Sequence, residues 1–154
     1  MKDFVLKPNF FVYRSKKYDS IYEMLVDKKK IFENRAGVFV FASIVGFKNN
    51  KRIPVKERAT EMRSEHISEK DLLAIICMMF KEFDYDFNKF EDYENVKKMM
   101  PVIEEYAEGG MEILCNTAFY GQWDGNSLSE NYDEYEIDLV RYIYKEMQKK
   151  EILI

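Results

Sequence analysis

The sequence predicts a mainly α fold: one domain over residues 1–154, a compact bundle of about five or six helices with one or two short strands. Three observations carry this. The chain is 47% hydrophobic and 16% aromatic, with 12 Phe and 11 Tyr, enough to build a core without a disulfide or metal. It holds only 6 Gly and 3 Pro, too few for a turn-rich β sandwich or a disordered chain. Apolar residues recur at helical spacing in several segments, and no repeat, low-complexity tract or linker divides the chain.

Taken in order, Phe4–Tyr13 alternates loosely around Pro8, as an edge strand or an extended arm over residues 1–17 would. From Ser20, the spacing of Ile21, Met24, Leu25, Lys28, Ile31 and Phe32 is helical. Asn34 suits an N-cap for Val38–Phe47, a run that is apolar on all sides. Periodicity does not separate a buried helix from a buried strand there; Val and Phe favour a strand, whereas Ala42, Ser43 and the cap favour a central helix ending at Gly46. Lys48–Pro54 reads as a solvated turn. Between Val55 and Ile67 the pattern is charged and aperiodic, with Glu65–Ile67 suited to a short strand. Ser68 with Asp71 resembles a capping box and opens a helix through Leu72, Leu73, Ile75, Ile76, Met79 and Phe80.

Glu82–Glu91 is an acidic-aromatic connector. The following helix, Asp92–Glu108, should break or restart near Pro101, with Gly109-Gly110 as its C-cap or a hinge. Met111–Tyr120 adds a few helical turns, and Gly121–Asn131 is the longest turn-like stretch. A last helix, within residues 132–154, places Ile137, Val140, Arg141, Tyr144 and Met147 near one face. Its acids come early and its lysines late, which suits the helix dipole.

Composition narrows the chemistry. The single histidine, His66, and the two cysteines, Cys77 and Cys115, cannot supply a zinc site at usual spacings, and both thiols sit in apolar stretches. No nucleophile motif, P-loop or dinucleotide-binding glycine motif is present, so no cofactor is expected. No arginine stands at the distance from His66 that helical toxin ribonucleases use: Arg58 is too far and Arg63 too near. Glu104, Glu105, Glu108 and Glu112 fall at helical spacings and are the only candidate for a carboxylate-dependent nuclease, although such clusters are more often solvated surface. The N-terminus lacks a signal peptide, and no stretch approaches the ~20 apolar residues of a membrane span, so a cytoplasmic protein is expected.

Charge is unevenly distributed. Met1–Arg63 carries 15 basic and 7 acidic residues, net +8, whereas Ser64–Ile154 carries 9 and 21, net −12. Either the halves neutralise each other, within the fold or in a homo-oligomer, or they present two oppositely charged surfaces. On the second reading, Lys48, Lys51, Arg52, Lys56, Arg58 and Arg63 would meet nucleic acid or an acidic partner. Tyr106, Glu108, Glu112, Tyr132 and Tyr135, with Tyr142 nearby, would form a partner-binding face.

Two stretches also carry a family resemblance. Phe39–Lys48 (FVFASIVGFK), with Arg52-Ile53-Pro54 after it, and Glu105–Leu114 (EYAEGGMEIL) together resemble the small accessory proteins encoded beside bacterial DNA phosphorothioation (Dnd) systems, the group called dnd system-associated protein 4. The likeness extends loosely over Phe32–Leu114 and leaves the C-terminal helix outside. It implies a phage-defence role beside larger ATPase or nuclease subunits, SMC-like ATPases included, and no established catalytic residue. The combined expectation is a non-enzymatic adaptor that binds such a subunit and contacts DNA. The alternatives are a direct DNA sensor acting through Lys48–Arg63 and the carboxylate nuclease.

Overall fold

The computed structural model describes residues 10–151. Phe4–Asn9 of the expected strand or arm, and residues 152–154 of the expected last helix, lie outside the described residues. Two strands, β1 (Phe11–Ser15) and β2 (Arg58–Arg63), pair antiparallel, with Val12 opposite Met62 and a bulge between Tyr13 and Ser15. Among the described residues there are five helices: α1 (Asp19–Glu23), continued by a π-helical turn over Met24–Lys28, α2 (Arg35–Lys48), α3 (Glu69–Glu82), α4 (Tyr93–Asn116) and α5 (Tyr135–Glu151). The mainly α reading with two short strands is therefore correct.

Local chemistry sets several boundaries. Asn34 caps α2, its side-chain oxygen accepting the Gly37 N–H at 2.9 Å, and this cap decides the Val38–Phe47 ambiguity for a helix. The Ser68 hydroxyl accepts the Asp71 N–H and donates to the Asp71 carboxylate, so Ser68 caps α3 and the shorter acid binds its hydroxyl. α1 and its π turn end at Lys28, short of Ile31 and Phe32. Lys30 turns left-handed (φ 53°), and the N–H groups of Ile31 and Phe32 close on the Leu25 carbonyl.

Of the two readings of the N-terminal segment, the strand holds for Phe11–Ser15: Phe10 and Val12 are buried, and β1 pairs with β2 and packs on α4. Other expectations fail, each for a tertiary reason. The second strand is Arg58–Arg63, and Ser64–His66 is a 3-10 turn, because buried Ser64 exchanges hydrogen bonds with the Phe10 backbone. α4 runs unbroken through Pro101, which lies on its exposed side, where water can reach the carbonyl that the ring leaves without a donor. It also runs through Gly109-Gly110, which neither cap nor hinge it.

Those glycines have another task. α2 lies in the centre of the core and packs more extensively on α4 than any other two elements pack. A Cβ on Gly46 would stand 1.9 Å from the Tyr106 carbonyl oxygen, and one on Gly110 would stand 1.8 Å from that of Ala42. The two backbones therefore touch, and Gly46 serves this contact instead of ending α2, which continues to Lys48. On the same side of α4, a Cβ on Gly109 would meet the Lys51 carbonyl oxygen at 2.2 Å.

Gly46→Ala and Gly110→Ala should each destabilise the fold by about 3 kcal/mol or more, because backbone cannot yield as a side-chain tip does. Gly37→Ala, whose Cβ would meet the Phe32 ring at 3.5 Å and Asn34 Oδ1 at 3.8 Å, both ordinary contacts, should be neutral or gain up to about 1 kcal/mol. Chemical denaturation of the three variants distinguishes a helix contact from a general dislike of alanine.

Candidate functional site

The Gly109 contact brings the basic segment against the acidic helix. Beyond α2, the Lys51 N–H bonds to the Gly46 carbonyl and the Ile53 N–H to the Glu105 carbonyl at 3.1 Å. Residues 51–53 thus run along α4, and their side chains meet its carboxylates. Lys51 pairs with Glu112, Arg52 with Glu105 at 2.6 Å, and Arg58 with Glu104 at 3.0 Å. Arg63 lies 3.8 Å from Glu65. Of the six expected cations, Lys48 and Lys56 have no ion pair among the described residues. Two further pairs, Lys28–Glu130 and Lys29–Asp133, also join the basic part to the acidic part. The charge asymmetry of the chain is in large measure neutralised within the fold.

The expected partner face divides in the same way. Tyr106, Glu108 and Tyr135 are buried, which corrects their reading as surface residues. Tyr106 donates its hydroxyl to Glu82 at 2.5 Å and lies under Arg52, and burial raises its pKa to about 12. Tyr135 packs edge-on against Phe119 and donates to the Ser129 carbonyl at 2.6 Å. Glu112 and Tyr132 are half-buried; Tyr132 donates to Asp138, which helps seat the start of α5. Of the cysteines, Cys115 is buried, its thiol pushed up to about 12 by desolvation, whereas Cys77 is exposed rather than packed as expected.

The four α4 carboxylates do not converge. Glu104, 3% exposed, accepts the Tyr13 N–H at 3.0 Å and the Arg58 guanidinium, tying α4 to both strands. Glu105 and Glu112 hold their separate cations. Glu108 is 7% exposed, with the Ser15 hydroxyl and Lys17 nearby, and its Oε2 has no hydrogen-bond partner. Burial raises the pKa of both Glu104 and Glu108. Among the described residues, no group of three or more His, Cys, Asp or Glu side chains could hold a metal. A cleft of about 610 Å³ is lined by Arg14, Arg35 and Arg63 but also by Asp27, Glu33 and Glu61, so its charges cancel. His66 borders this cleft and is itself exposed.

Two further features are exposed. In the acidic-aromatic connector, Tyr85 and Phe87 are exposed; Phe87 stacks on Phe80 and Tyr85 meets it edge-on, while Asp84 and Tyr85 take left-handed backbone (φ 54° and 62°). A bulky residue held there is strained and must be fixed by its surroundings. On α5, the face through Ile137, Val140, Tyr144 and Met147 points outward.

A family model described as DNA sulphur modification system-associated protein 4 matches residues 12–129. The chain belongs to this family. The match begins in β1 and stops before α5, so the family region holds the whole α2–α4 crossing and the ion pairs along it. No curated protein and no solved structure matches the chain. No helix among the described residues is long and apolar enough to cross a membrane.

Glu108 gives a prediction with a definite sign. A carboxyl whose folded pKa is raised contributes stability that is fully present below its unfolded pKa and lost as pH rises through the folded one. Glu108→Gln should therefore raise the thermal midpoint near pH 7 and change it less at about pH 4. Equal effects at both pH values would show that the charge on Glu108 is of no consequence.

Proposed function

We propose that this protein is a non-enzymatic accessory subunit of a bacterial DNA sulphur modification system, working in the cytoplasm in phage defence and docking on a larger ATPase or nuclease subunit. The family match over residues 12–129 carries the reading. The site chemistry agrees with it. The carboxylates that a nuclease would need are each engaged separately, by cations or by burial. Of the six cations that a DNA sensor would need, three are committed to α4 and Arg63 lies near Glu65. Tyr85 and Phe87, packed on Phe80 and bordered by Asp84 and Asp86, have the composition of an interface anchor for a basic, apolar pocket on the larger subunit.

Co-expression with the neighbouring ATPase and nuclease subunits tests this. The chain should co-elute with one of them, and a Tyr85→Ala/Phe87→Ala variant with unchanged helical circular dichroism should not. Failure of the wild-type chain to join any component overturns the reading. For the isolated chain, log affinity for DNA against log salt should have a slope of about −2, the value for two free cations; a slope near −5 would favour direct sensing by all six.

A further inference from the structure

α5 has two apolar faces, and the domain uses only one. Tyr135, Leu139 and Tyr142 are buried and hold the helix against the body. Ile137, Val140, Tyr144 and Met147 lie roughly 150° further round the axis, at 100° per residue. They remain 48%, 60%, 60% and 59% exposed. Their spacing is three, four, three, which is the alternation of a and d positions over two heptads. Isolated apolar residues on a surface need no explanation, but four large ones in a heptad line form a seam.

We propose that this seam pairs with the same seam of a second copy of the chain, as a parallel two-fold coiled coil. The charges beside it select this occupant. With Ile137 and Tyr144 at a, and Val140 and Met147 at d, Glu136 falls at g and Arg141 at the following e. In a parallel two-stranded coil each g side chain faces the e side chain five residues on in the other strand. Glu136 of each copy then meets Arg141 of the other, and the two-fold makes the pair twice. Ile143, at the next g, is 42% exposed and extends the apolar strip along that flank.

Arg141 is exposed and contacts Asp138 at 3.3 Å in the single chain, an interaction weak enough to be exchanged on association. Two heptads are too short to sustain free helices. Here the body already holds α5, so its ordering does not oppose association. Because the anchored and free faces point well apart, the two bodies lie on the outer sides of the pair. The seam lies beyond residue 129, so the inference does not rest on the family role.

Sedimentation equilibrium of the full chain across a dilution series should give a reversible dimer of the 18.5 kDa chain. Val140→Glu and Tyr144→Glu change exposed positions, so helical circular dichroism should be unchanged while the dissociation constant rises at least about tenfold. Glu136→Arg should weaken the dimer, and adding Arg141→Glu should restore it. A chain that stays monomeric throughout the series, or a dimer indifferent to Val140→Glu, overturns the proposal. A dimer that the double charge exchange does not restore overturns the parallel arrangement. The Tyr85→Ala/Phe87→Ala variant should dimerise normally, which separates this surface from docking on the larger subunit.

Discussion

The contact between the backbones of α2 and α4 is the constraint on which the remainder of the molecule depends. With hydrogen at Gly46 and Gly110, two helices can approach until carbonyl oxygen meets Cα. Side-chain volume at either position would separate them, since interhelical distance follows the residues at the crossing. Val38, Phe39 and Val45 on α2 and Ile103, Met111 and Leu114 on α4 then close around the crossing as one core. Ser43, fully buried on α2, turns its hydroxyl back to the Phe39 carbonyl at 2.8 Å and so brings no unpaired polar atom into it. The two stretches that carry the family resemblance meet here: one holds Gly46, the other Gly109 and Gly110. In this chain the glycines of both strings are accounted for by packing.

Electrostatics follows from that geometry. Once α2 is set against α4, the chain leaving α2 has little choice but to run beside the carboxylates of α4, and Gly109 lets it lie flush. Exposed pairs such as Arg52–Glu105 contribute on the order of 1 kcal/mol or less each. Their larger effect is to remove charge from the surface that a sequence reading offers to DNA. Glu104 differs because it is buried. There Arg58 and the Tyr13 N–H offset a desolvation that would otherwise expel the charge, and β1, β2 and α4 are fastened at one point.

Much of the fold was legible in the sequence, and the exceptions share a cause. Asn34 and Ser68 announced their helices because capping is local: the side chain and the N–H that it accepts lie three residues apart. The family likeness was legible for a similar reason, as contiguous strings, although the family region spans residues 12–129 and so reaches beyond the Phe32–Leu114 read from the sequence. Pro101 and Gly109-Gly110 misled because their usual meaning concerns the backbone of their own helix, whereas here the outcome is set by solvent on one side and α2 on the other. β2 left no alternating signal because only Met62 of its six residues is buried. Tyr106, Glu108 and Tyr135 were misplaced because composition records that acids and aromatics are interleaved but not which way each one faces. On α5 the apolar face read from the sequence, Ile137 to Met147, is the exposed one: Ile137 and Leu139 are equally apolar on paper, and only the packing of Leu139 shows which of them meets the body.

The segment joining α2 to β2 resembles the lysine-rich loops in which homologous proteins freely gain and lose residues. Its structure gives it another character. The Lys51 carbonyl rests on Gly109, the Ile53 N–H is bound to Glu105, and the cations of residues 51, 52 and 58 are each indexed to one carboxylate of α4. Composition can drift at Lys48 or Lys56 without disturbing any of these. Length cannot, since one added residue would move every later partner out of register at once. What looks like the most permissive stretch of the chain is a ruler, and an epitope or fluorophore inserted there would be read by the helix beside it.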